Sequence, residues 1–137
     1  MATANQLAFD TGTDAFNARD FDRLAESLAD DVVFQAPGGV WGEGKEDCIR
    51  FHRNLFDAFP DAYLDVHDVH LAEDVAVEEG TLTGTHDGVA RTGRSVALGY
   101  VRVTRQRDGK NVSMSLMLDR LGMLEQLGLI PNEQGQL

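Results

Sequence analysis

The chain has 137 residues, of which 42% are hydrophobic and 26% are charged, and its formal net charge is −11. This length fits one domain with its own core, and the acidic balance argues against nucleic acids and anionic membranes as partners. No apolar run approaches the roughly 18 residues of a membrane-spanning helix. The first residues also lack the basic and apolar regions of a signal peptide. The single cysteine, Cys48, excludes an internal disulfide and indicates a reducing, cytoplasmic location.

The first part of the chain predicts helices and one short strand. Apolar residues recur at helical spacing in three stretches, and an apolar run between the second and third reads as a strand. The predicted helices are Thr3–Arg19, Phe21–Leu28 and Lys45–Phe59, and the strand is Val32–Gln35. The third helix ends before Pro60 because a residue preceding proline avoids the α region. Trp41 is predicted to lie in a glycine-rich loop.

From Ala62 onward the pattern changes to strands. The predicted strands are Ala62–Ala72, Ala76–Thr85, Ser95–Gln106 and Lys110–Leu118, followed by a short helix over Arg120–Leu127. Asp108-Gly109, between two strand-like runs, is a strong hairpin signature. Early helices followed by consecutive strands predict an α+β domain, with helices on one face of a curved antiparallel sheet. One domain is expected over residues 1–137, with a loose tail from Pro131 to Leu137.

Asp119, at the junction of the last strand and helix, is the main candidate for chemistry. Its apolar neighbours, including Leu116 and Leu118, predict a desolvated carboxylate with a raised pKa, suited to acid–base work. Strand alternation places it on one face with Met117 and Ser115, which is expected to line a cavity. Aspartate is also favoured directly before a helix, so Asp119 can instead act as an N-cap, and the two roles can coexist.

Other constellations predict little chemistry. His67 and His70 are three residues apart in a strand, which predicts opposite faces and no shared metal ion. Glu78 and Glu79 diverge for the same reason. His52 lies on an inner stripe of the third helix, where it is either a hydrogen-bonded core residue or a polar group facing a pocket. No phosphate-binding glycine loop or nucleophile elbow is present, so the sequence predicts a pocket rather than a motif.

Several segments resemble the SnoaL-like polyketide cyclases of the nuclear transport factor 2-like superfamily. They are FPDAYLDVHDV, GTLTGTHDG, TGRSV, RQRDGK and, most specifically, LDRLGMLEQLG. The resemblance covers roughly Leu7 to Leu129. It implies a cone-shaped, strongly curved antiparallel sheet packed on three N-terminal helices, with a deep apolar pocket between them. It also implies a homodimer or larger homo-oligomer that packs through its sheets.

The resemblance further implies a reaction, an intramolecular aldol closure of a polyketide without metal or cofactor. The aspartate at the position of Asp119 would act as general base and acid, and His86 would donate a hydrogen bond to the oxyanion. The small hydrophobic or aromatic substrate would contact a set of pocket residues, namely Phe34, Gln35, Trp41, His52, Phe56, Tyr100, Arg102 and Met117.

The chain departs from the family pattern at two places. The loop that often shapes the pocket mouth is short here, only Val89-Ala90-Arg91, which leaves substrate size open. Arg102 stands where the cyclases often have histidine, and a cation there would lower the pKa of a nearby carboxylate. Two alternatives therefore stay open: a non-catalytic module that binds a small hydrophobic ligand, and an isomerase or epoxide hydrolase-like relative.

Overall fold

One six-stranded sheet is the framework of the computed structural model, which describes residues 12–87 and 91–131. The helices are α1 (12–18), α2 (Phe21–Glu26), α3 (Gly44–Ala58) and α4 (Arg120–Gln126). The strands are β1 (Leu28–Ala36), β2 (Val40–Glu43), β3 (Tyr63–Leu71), β4 (Val75–Thr85), β5 (Ser95–Arg107) and β6 (Lys110–Leu118). The predicted α+β class is confirmed. The rest of the first predicted helix and most of the predicted tail lie outside the described residues.

The strands lie in the order β2-β1-β6-β5-β4-β3. Neighbours are antiparallel except for β1 and β6, which run parallel. Irregular register occurs between β1 and β6, between β3 and β4, and between β5 and β6. Because an extra residue bends a strand and increases its twist, these irregularities help the sheet to curve over the helices.

Most predicted boundaries agree with the structure within two residues, but the region around β1 differs. The second helix was expected to reach Leu28, yet it ends at Glu26 and Leu28 begins a nine-residue strand. Trp41 lies in strand β2 rather than in a loop, because Gly38 and Gly39 adopt positive φ angles and turn the chain back onto β1. The Asp108-Gly109 hairpin is confirmed, with positive φ at both residues.

The two histidines of β3 do not diverge as predicted. The register shifts between Val66 and Asp68, so the alternation of side chains is interrupted at His67. His67 Nε2 lies 3.3 Å from Thr81 Oγ1, and His70 Nε2 lies 3.8 Å from Glu79 Oε2. Both histidines therefore contact the outer face of the sheet. Within residues 12–87 and 91–131, no three His, Cys, Asp or Glu residues are grouped so that they could hold a metal ion.

The core lies between the helices and the inner face of the sheet, in two clusters. The larger combines α1, the end of α3 and strands β3 to β5, and includes Phe16, Leu64, Leu82, Leu98 and Tyr100. The smaller joins β1 to α3 through Leu28, Val32, Phe34 and Cys48. Among the described residues, no helix is long and apolar enough to cross a membrane.

Candidate functional site

A partly enclosed cavity lies between these two clusters. Its apolar wall includes Phe16, Phe34 and Phe51, and its polar lining consists of Gln35, His52, Tyr100 and Arg102. The centre of a water-sized sphere can occupy about 40 Å³ of it, whereas one water needs about 10–15 Å³ on this measure. The cavity is therefore small. Its lining is mainly apolar and polar at a few points, which is the usual character of the lining of a small-molecule site.

The inner face of β5 supplies the polar floor of the cavity. Alternation along the strand turns Tyr100, Arg102 and Thr104 to the same side, under the helices. Tyr100 lies across from Gly80 of β4, and a Cβ atom at Gly80 would lie 2.8 Å from the Tyr100 hydroxyl. A residue with a side chain at position 80 would therefore clash with the Tyr100 ring and, more closely still, with the Asp65 carbonyl oxygen.

Arg102 forms a buried ion pair with Glu78, its neighbour across β4 and β5. Arg102 Nη2 lies 2.9 Å from Glu78 Oε2, and the Glu78 side chain is 0% exposed. The same nitrogen donates a hydrogen bond of 2.8 Å to Thr13 Oγ1 of α1. This pair links the first helix to the sheet.

His52 of α3 is 6% exposed and borders the cavity. Its Nδ1 lies 2.7 Å from the Cys48 carbonyl oxygen one turn earlier, which fixes the tautomer with the proton on Nδ1. Nε2 is then the unprotonated nitrogen of a ring that borders the cavity. Burial lowers the pKa of His52 to about 4, and the charge of Arg102 acts in the same direction, against the hydrogen bond to Cys48. His52 is therefore a neutral acceptor at neutral pH.

Stability is expected to depend on pH through His52. The folded protein keeps this imidazole neutral down to about pH 4, whereas the unfolded chain protonates it near the ordinary histidine pKa of 6.5. Between these values the unfolded state binds more protons, so the free energy of unfolding falls as the pH falls. The loss begins near pH 6.5, is complete below about pH 4 and amounts to about 3 kcal/mol. Urea denaturation of the wild type and His52→Asn at several pH values measures it, and parallel pH profiles would contradict the assignment.

Cys48 lies beside His52 but shows no nucleophilic character. Its Sγ is 3.8 Å from His52 Nδ1, and burial raises the pKa of the thiol to about 12. It stays protonated, as expected for a small core residue.

Asp119 does not have the desolvated setting that the sequence predicts. It is exposed and immediately precedes α4, where its Oδ1 accepts a hydrogen bond of 2.8 Å from the Gly122 amide. The physical reason is which face of β6 turns inward. Met114 and Leu116 face the helices and line the cavity, while Met117 on the opposite face is 66% exposed. The N-cap interpretation is confirmed, and the carboxylate lies outside the cavity lining.

The structure divides the predicted substrate-contacting residues into two groups. Phe34, Gln35, His52, Tyr100 and Arg102 line the cavity, with Gln35 exposed and so at its boundary with solvent. The other three, Trp41, Phe56 and Met117, do not line the cavity, and neither does His86, the predicted oxyanion donor. His86 Nδ1 lies 3.2 Å from Thr92 Oγ1, and the His86 ring contacts Phe59. Trp41 is 68% exposed on β2, and Met117 lies on the outer face of the sheet. Phe56 packs against Phe16 and Phe21.

Sequence reasoning missed part of the cavity and its main polar pair. Met114 and Leu116 on the inner face of β6 line the cavity, although the sequence predicted a cavity on the opposite face of this strand, with Met117 and Ser115. Glu78 was considered only with its neighbour Glu79, whereas its partner is Arg102, 24 residues away. The alternation of side chains along β4 and β5 could have placed Glu78 and Arg102 on the inner face of the sheet. Only the pairing register of the two strands shows that they lie opposite each other.

The model of the SnoaL-like domain family matches residues 11–114, more than half of the chain. The chain belongs to the SnoaL-like family. Among curated proteins, none matches this SnoaL-like protein. Solved structures do. A proposed SnoaL-like polyketide cyclase from Jannaschia sp. CCS1 is 25% identical with a TM-score of 0.84, and the match covers 93% of this chain and 94% of that one.

Two further structures resemble the SnoaL-like protein. IdmH from Streptomyces antibioticus, described as a proposed polyketide cyclase, is 28% identical with a TM-score of 0.77 and coverage of 88% and 96%. A protein with a ketosteroid isomerase-like fold from Catenulispora acidiphila, in complex with trimethylamine, is 16% identical with a TM-score of 0.79 and coverage of 88% and 92%. The last likeness concerns the fold alone. Together these matches confirm the predicted family and its nuclear transport factor 2-like fold.

Proposed function

We propose that this SnoaL-like protein closes a ring in a polyketide-like carbonyl compound by cofactor-independent acid–base chemistry, with His52 moving the proton. The observation that carries the proposal is the neutral His52 imidazole, whose Nδ1 is engaged with Cys48 and whose ring borders the cavity. A base must reach the reacting carbon before its basicity matters. His52 meets that condition, whereas the Asp119 carboxylate is outside the cavity.

The proposed steps conserve atoms and charge. His52 Nε2 removes a proton from a carbon between carbonyl groups, and the C–H electrons form an enolate. The enolate carbon attacks a second carbonyl of the same molecule, which forms the C–C bond and an alkoxide. The imidazolium then returns its proton to the alkoxide, so the base is regenerated. The low pKa of His52 opposes proton uptake in the empty cavity, but the enolate supplies a compensating negative charge beside it.

Two side chains are placed to stabilise the oxyanion. The Arg102 guanidinium is held by Glu78 and Thr13 at the cavity floor, and the Tyr100 hydroxyl is a buried donor on the same strand face. Burial and, to a lesser extent, the Glu78 carboxylate raise the pKa of Tyr100, so its hydroxyl keeps its proton at neutral pH. Fixed donors in a water-poor site stabilise developing negative charge strongly.

The test compares two single substitutions, His52→Asn and Asp119→Asn, in turnover of anthraquinone-type polyketide esters. We expect His52→Asn to lose turnover and Asp119→Asn to keep it. The opposite pattern would return the base to Asp119 and end the proposal. If neither the wild type nor either variant turns the esters over, and all three bind them saturably, the result supports the alternative of a binding module.

The outer face of the sheet supports a further proposal about assembly, a homodimer. Trp41, Met117 and Val101 are exposed on it, Trp41 at 68%, Met117 at 66% and Val101 at 37%, and burying apolar surface of this kind drives association. Light scattering after gel filtration should give twice the mass of the chain for the wild type and one chain for Met117→Glu. A monomeric wild type at micromolar concentration would contradict this. The cytoplasmic location stays a prediction from the single cysteine.

A further inference from the structure

We propose that a second, smaller cavity beside the main one is a permanent site for a single water molecule. It lies beside the start of α1 and shares His52, Arg102 and Met114 with the main cavity. Its remaining polar lining is Thr13, Thr104 and Asn111. The centre of a water-sized sphere can occupy about 10 Å³ of it, which is at the lower limit for one water, about 10–15 Å³. Larger ligands do not fit.

Thr104 carries the proposal. Its side chain is 1% exposed, and its Oγ1 has no hydrogen-bond partner among residues 12–87 and 91–131. Buried hydroxyl groups in folded proteins nearly always have a partner, either in the protein or in an ordered water. Thr104 faces inward from β5 next to Arg102, so its hydroxyl borders a space in which a water would supply the missing bond.

The rest of the lining can complete the coordination of this water. A buried water typically makes about three hydrogen bonds. The Thr13 hydroxyl, the Asn111 side-chain amide, the Arg102 guanidinium and the His52 ring all border the same space. Such a water would hydrate the Arg102–Glu78 pair, which lowers the cost of keeping a charged pair inside the fold.

The thermal stability of two variants distinguishes a wet site from a dry one by the sign of the effect. Thr104→Val replaces the hydroxyl with a methyl group of nearly the same shape. In a dry cavity this removes an unpartnered polar group, so Tm should rise; in a wet cavity it removes a bond to the water, so Tm should fall. We expect a fall of about 2–4 °C. Thr104→Ser removes the methyl group but keeps the hydroxyl, so it should keep the bond to the water.

A crystal structure of the ligand-free protein at better than about 1.5 Å provides the second readout. We expect density for one water within hydrogen-bond distance of Thr104 Oγ1 in the wild type and in Thr104→Ser, and its absence or displacement in Thr104→Val. An unchanged or higher Tm for Thr104→Val, or a wild-type cavity without that density, would overturn the proposal. Neither readout involves turnover, so the water site stands or falls independently of the proposed cyclisation.

Discussion

Replacing His52 with asparagine is expected to lower the turnover of polyketide esters by about 100-fold to 10,000-fold, the usual contribution of a general acid–base group. Asparagine is the informative choice because its amide nitrogen occupies nearly the position of Nδ1. It can therefore keep the hydrogen bond to the Cys48 carbonyl, which is 2.7 Å in the wild type. What it lacks is Nε2, the atom assigned to proton transfer.

Two controls separate chemistry from folding in this experiment. Asp119→Asn should keep turnover within about twofold, because asparagine is as good an N-cap as aspartate and the bond to the Gly122 amide is retained. Cys48→Ala removes the neighbouring thiol without touching Nε2, so its turnover reports any loss from repacking. If His52→Asn binds the ester normally and still turns it over at the wild-type rate, His52 is not the base.

The second large effect is expected at the Arg102–Glu78 pair. Glu78→Leu should lower the free energy of unfolding by about 3–5 kcal/mol, because it leaves a buried guanidinium without its carboxylate. Arg102→Met should cost a similar amount by leaving the fully buried Glu78 unpaired. The double variant should be considerably more stable than the sum of the two losses predicts, since a buried pair replaced by apolar side chains leaves no unpaired charge.

Urea denaturation of the wild type, the two single variants and the double variant measures the coupling energy between Arg102 and Glu78 directly. Losses that simply add would show that the two charges do not depend on each other, contrary to the distance of 2.9 Å between Arg102 Nη2 and Glu78 Oε2. Thr13→Val is a matched control. It removes the hydrogen bond from Arg102 and the longer one, 3.4 Å, to Glu78 Oε1, but leaves both charges in place, so its cost should be about 1 kcal/mol.

Local sequence features determined the elements and the family of this protein. Asp108-Gly109 specified a hairpin because both positions need left-handed backbone angles. Asp119 before Arg120–Gln126 allowed two interpretations, and the N-cap interpretation holds because its short carboxylate reaches a first-turn amide. The LDRLGMLEQLG segment indicated the SnoaL-like family that the domain match confirms. These are effects within a few residues, which a sequence shows directly.

The tertiary structure alone decided which of these residues share a site. Arg102 meets Glu78 only because the register of β4 on β5 places them opposite each other. The extra residue near His67 reversed the face expected for one histidine. His52 could be core or pocket until α3 packed on the sheet beside an incompletely filled space. Asp119 remained a candidate base until the inward face of β6 proved to hold Met114 and Leu116. Pairing register and helix docking join residues far apart in the chain, and local periodicity does not encode them.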